Sequence, residues 1–75
     1  MYSYNYNKDK LSKLFSILRF LVSEQKNNTI KYNEFINKIF ANGYNDENLV
    51  RLFILRYTEL NIIYINDKWT EITLL

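Results

Sequence analysis

The chain has 75 residues, 48% of them hydrophobic and 17% aromatic, with ten lysines and arginines against eight carboxylates for a formal net charge of +2. That length holds one domain, and the apolar content is sufficient to fold it. Cysteine and histidine are both absent, which removes disulfides, thiolate or imidazole metal sites and every Ser-His or Cys-His catalytic pair.

Residues 1–7 alternate tyrosine with small polar residues and read as a flexible N-terminal arm. It is either frayed or lays Tyr2, Tyr4 and Tyr6 along one side of an extended segment. The single domain is expected over residues 8–75. From Lys8 the pattern turns helical: Leu11, Leu14, Phe15, Leu18, Leu21 and Val22 make one continuous face, with Ser12, Ser16, Arg19 and Ser23 opposite. Ile17 and Phe20 widen that stripe, as a deeply buried central helix or a dimer or partner surface would require. The helix is expected to stop near Gln25.

Thr29-Ile30-Lys31 predicts one brief strand. A second helix follows, with Asn33 as its expected cap and Tyr32, Phe35, Ile36, Ile39 and Phe40 as its buried face. Gly43, the only glycine, suits the left-handed position just past a helix C-terminus. Gly43-Tyr44-Asn45 alone separates this helix from a third. Asn45 or Asp46 can cap the third helix, and Asp46 and Glu47 suit its positive end. Its expected core face is Val50, Phe53, Ile54, Tyr57 and Leu60. The period then changes. Residues 62–65 and 69–74 are β-formers flanking Asn66-Asp67-Lys68, which predicts a hairpin.

The predicted fold class is α+β, mostly α, and the element order over residues 11–74 resembles the winged helix-turn-helix family. Three features carry the resemblance: the glycine-containing turn Phe40-Ala41-Asn42-Gly43-Tyr44-Asn45-Asp46 between two helices, the run Tyr57-Thr58-Glu59-Leu60-Asn61-Ile62-Ile63 from helix to first wing strand, and the hairpin through Asp67 and Lys68 in the place of the wing. Where the family has glycine this chain has Asn61, which tolerates the same left-handed conformation. The resemblance implies that the third helix is the recognition helix of a DNA-binding protein, with Asn45, Asn48, Arg51 and Arg56 facing base edges. It also implies phosphate contacts from the wing-tip Lys68 and the strand residue Lys31, with Lys8, Lys10 and Lys13 as further candidates. Each of these lysines also has a plainer reading as surface charge.

The third helix departs from that pattern. Residues 45–60 hold two arginines against three carboxylates, whereas phosphate neutralisation favours a basic helix. Leu52 and Leu55 fall at outward positions with Leu49 beside them, so this stripe is read as a partner surface, or as core if the helical phase is shifted. Trp69 is read as closing the core beneath the hairpin, with base stacking or partner anchoring as its other roles.

No apolar run approaches the roughly 20 residues that span a bilayer, and no secretory leader pattern is present, so a cytoplasmic protein without membrane contact is expected. The eleven asparagines, with abundant isoleucine, lysine and tyrosine, point to an AT-rich viral, archaeal or bacterial genome. No nucleophile–base pair or glycine-rich phosphate loop is present, and Glu24, Glu34, Glu47, Glu59 and Glu71 fall on polar faces. The expectation is a non-enzyme without cofactor or metal. Two functions are open. One is a DNA-binding transcriptional regulator acting as a homodimer. The regulator would dimerise through its first helix, where Ile17 and Phe20 widen the apolar stripe, or through its arm or third helix. The other is an interaction module, an accessory subunit of a nucleic-acid-processing or other multiprotein complex, docking through its leucine face of Leu49, Leu52 and Leu55.

Overall fold

The structure, a computed structural model, describes residues 2–75, with side chains from Asp9 onward. The chain runs α1 (Tyr2–Ser23), β1 (Thr29–Lys31), α2 (Tyr32–Ala41), α3 (Glu47–Glu59), β2 (Ile63–Ile65) and β3 (Glu71–Leu74). The three strands form one antiparallel sheet in the order β1-β3-β2. This is a mostly helical α+β fold with a winged helix-turn-helix layout, as the element order predicts. Among the described residues no helix is long and apolar enough to cross a membrane.

The boundaries differ in places from those expected. α1 begins at Tyr2 rather than Lys8 and ends at Ser23 rather than near Gln25; backbone expected as an arm is therefore helical from residue 2. The tyrosine side chains expected along one side of that arm lie outside the described residues. Asn33 is not a cap. Lys31 holds that position without any side-chain bond, because strand runs into helix without a loop: the Tyr32 N–H donates to the Thr70 carbonyl at 2.8 Å, so the first helical residue still belongs to the sheet. Of the two candidate caps for α3, Asp46 takes the role, its carboxylate accepting from the Asn48 N–H at 3.0 Å.

Leu11, Leu14, Leu18 and Val22 of α1 are buried against Phe35 and Ile39 of α2, Leu49, Val50, Phe53 and Ile54 of α3, and Ile30, Ile63 and Ile72 of the sheet. Within this core the rings form a chain. Phe35 lies 5.5 Å from Phe53, Phe53 lies 4.5 Å from Tyr57, and Tyr57 lies 5.1 Å from Phe15, so one aromatic series joins all three helices. Such contacts are each worth about 0.5–1.5 kcal/mol beyond the area they bury.

Two helix ends use the same device. At the end of α2, Gly43 has φ +94; its N–H donates to the Phe40 carbonyl at 3.0 Å, and the Tyr44 N–H donates to the Ile39 carbonyl at 3.2 Å. At the end of α3, Asn61 has φ 61, and Asn61 and Ile62 donate to the Thr58 and Tyr57 carbonyls, both at 3.0 Å. These are Schellman motifs, with a left-handed residue satisfying the last free carbonyls. Asn61 thus stands in the left-handed conformation expected for it. Leu60, expected in the core, is 58% exposed: the helix ends on it, and Ile62 packs against the core instead.

In the sheet, Thr29 pairs with Thr73, Ile30 with Ile72 and Lys31 with Glu71, while Ile63, Tyr64 and Ile65 pair with Leu74, Thr73 and Ile72. Alternation puts the isoleucines on the helix side and Thr29, Lys31, Tyr64, Glu71 and Thr73 on the outer side. The Thr29 and Thr73 hydroxyls meet there at 3.0 Å.

Gly43→Ala should destabilise the protein by about 1–2 kcal/mol in urea denaturation, the cost of a left-handed backbone with a Cβ, since a Cβ there meets nothing within 4 Å. Asn61→Gly should stabilise by up to about 1 kcal/mol in the same assay. The Thr58 hydroxyl is buried without a hydrogen-bond partner. Thr58→Val, which keeps the shape and removes that group, should raise stability by about 1 kcal/mol.

Candidate nucleic-acid interface

α3 turns Leu49, Val50, Phe53 and Ile54 inward. With 3.6 residues per turn, that leaves Asn48, Arg51, Leu55 and Glu59 along the opposite side, all exposed, and Leu52 half-buried at its border. The N-terminal end is held by the Asp46 cap, which also presents the exposed Asn45 just ahead of the helix.

Asn66 organises the wing. Its side-chain carbonyl accepts from the N–H groups of Thr70 at 2.8 Å and Glu71 at 3.0 Å, and its amide donates to the Thr70 hydroxyl at 2.7 Å. Its backbone carbonyl takes the Trp69 N–H at 2.9 Å. These bonds hold Trp69 at φ 56, a left-handed conformation that costs energy for a bulky residue. The turn is longer than predicted, because β3 starts only at Glu71. Trp69 is half-buried and packs against the core, the plainer role expected of it.

Tyr32, the first residue of α2, packs at the base of the wing. Its ring meets Trp69 edge-on, with centroids 6.0 Å apart and planes at 71°. Its hydroxyl is held above the ordinary tyrosine pKa, first by burial and then by the carboxylate of Glu47, with Arg51 pulling the other way. Tyr32 is therefore within electrostatic reach of the first turns of α3 while touching the base of the wing. Beside it a cavity of about 280 Å³ is lined by Lys31, Tyr32, Asn33, Trp69, Thr70 and Glu71.

The structure thus gathers part of the expected set. Asn45, Asn48 and Arg51 are exposed at the start of α3, and Lys68 is exposed in the wing turn next to Trp69. Lys31 is exposed on the outer face of the sheet, directly across from Glu71, so its charge is opposed by a carboxylate. Arg56 is exposed but stands five residues past Arg51, about 140° further round the helix, and does not join the group. The sequence pattern marks Tyr32 only as a core residue; its place between a β-branched strand and a helix is the one local sign of a junction role.

The partner surface needs correction. Leu49 is 6% exposed and belongs to the core; it sits beside Val50 on the inward side, so the apolar arc of α3 is wider by one residue than expected. Leu52 and Ile17 are half-buried and pack against the core. Leu55 is 59% and Phe20 52% exposed, and the Lys38 ammonium lies 5.7 Å above the Phe20 ring. No protein-family model matches the chain, and no curated protein matches it.

A phenol whose pKa is raised on folding supports the fold below its ordinary value of 10.0, and that support is lost as pH rises through the higher folded value. Melting temperature should therefore fall as pH is raised above about 10, and Tyr32→Phe should reduce that fall. Glu47→Gln should bring the Tyr32 titration, followed by NMR, to lower pH.

Proposed function

We propose that the protein binds double-stranded DNA as a small intracellular transcriptional regulator, setting the first two turns of α3 into the major groove and the wing against the adjacent backbone. One observation carries this reading: Tyr32 packs edge-on against Trp69 while Glu47 and Arg51 are near enough to bear on its hydroxyl, so the start of α3 lies close to the base of the wing. Arg51 and Asn48 supply the side-chain types that pair with guanine and adenine edges. Lys68, exposed in the wing turn, is the cation proposed to meet phosphate. The near-neutral charge of this surface makes few phosphate contacts the expectation, and so a shallow salt dependence.

Leu55 favours a second reading. A leucine 59% exposed on the outward face of the same helix offers bases no hydrogen bond and suits a protein partner better.

The test is fluorescence anisotropy of a labelled random duplex, titrated with protein at low and moderate salt. Under the DNA reading the duplex is bound at low salt. Lys68→Ala should then lower the slope of log affinity against log salt by about one. Arg51→Ala should cost about 1–3 kcal/mol on a selected site. Absence of binding at low salt would sink the DNA reading and leave the partner reading standing.

A further inference from the structure

We infer that the outward face of α3 is self-complementary and pairs antiparallel with the same face of a second copy of this chain. Arg51, Leu55 and Glu59 follow at four-residue spacing and lie along one stripe about 12 Å long. All three are exposed. Leu55, at 59%, is the most exposed large apolar side chain within any helix among the described residues. The cation and the carboxylate stand at equal distances on either side of it.

A two-fold axis through Leu55 sets the two leucines against each other and brings Arg51 of each copy beside Glu59 of the other. Two ion pairs then flank one apolar contact, which is the self-matching arrangement that a two-fold interface requires. A parallel pairing would set like charges together. Within one chain the two charges are two helical turns apart, too far to satisfy each other, and among the described residues neither takes part in an ion pair. Glu47, four residues before Arg51, is the competing carboxylate on the same helix; such exposed pairs are worth only about 0.3–0.5 kcal/mol. Arg56 is about 100° round from Leu55 and off the stripe. The helix is capped at both ends, so the stripe is ordered before any partner arrives.

The contact is small, in the range of transient rather than permanent interfaces. Its ion pairs act chiefly on register and on rejecting wrong partners. The inference rests on Arg51, Leu55 and Glu59 and does not depend on the DNA reading. It adds a consequence to it: the paired form covers the face that would enter the groove, so self-association and duplex binding exclude one another.

Sedimentation velocity without DNA is the test, over about 10 µM to about 1 mM, where an interface of this size should be populated. The wild-type sedimentation coefficient should rise with concentration. Arg51→Glu alone and Glu59→Arg alone should each weaken association at least about tenfold, because both ends of the stripe then carry one sign. An equimolar mixture of these two variants should associate again, and so should the double variant carrying both changes. Both positions are exposed, so circular dichroism should show each variant folded. A wild type that stays monomeric throughout, single variants that associate as well as wild type, or a mixture that fails to associate would each overturn the inference. Loss of duplex binding in a separate assay would bear on the DNA reading alone.

Discussion

Phe53 is the point on which the three helices close. It is fully buried, with Phe35 of α2 on one side and Tyr57, one turn along α3, on the other, and Tyr57 carries the contact on to Phe15 of α1. Because rings prefer tilted and offset contacts over a limited range of distance, this series fixes how α3 lies across the other two helices. The inward pairs Leu49-Val50 and Phe53-Ile54 then leave only one side of α3 free. What that side can meet follows from this packing.

The connections keep the arrangement short. Three residues of positive φ stand at three tight points: Gly43 between α2 and α3, Asn61 between α3 and β2, and Trp69 in the wing. The first two end helices by satisfying their last carbonyls. The third is held by the bonds around Asn66, and its ring is thereby placed against Tyr32. Strain accepted in the wing backbone thus secures the junction between the wing and the start of α2.

The exposed side of α3 combines features that point in different directions. Its arginine and asparagine suit a nucleic-acid edge, while Leu55 and the opposed charges of Arg51 and Glu59 suit another helix. The nearby cations have carboxylate company: Lys31 faces Glu71 across the sheet, and Lys68 follows Asp67 in sequence. Bulk charge therefore contributes little attraction here. This is also why the site was less legible in the sequence than the fold. Residue types named Arg51, Asn48 and Lys68 as candidates, but a string of residues does not show that Lys31 is opposed or that Arg56 stands apart.

The sequence by itself determined the order and type of the elements, since hydrophobic spacing, Gly43, Asn61 and the β-branched runs are local signals with local physical causes. It also excluded the chemistry of histidine and cysteine. Tertiary structure decided the rest. Leu49 and Leu60 exchanged their expected roles because burial at the edge of an apolar face depends on what packs there, and periodicity alone does not specify a neighbour. Asn33 lost its capping role because strand pairing by Tyr32 left no loop for it to cap. The junction of Tyr32 with Trp69 is a contact between residues far apart in the chain, and only packing could bring them together.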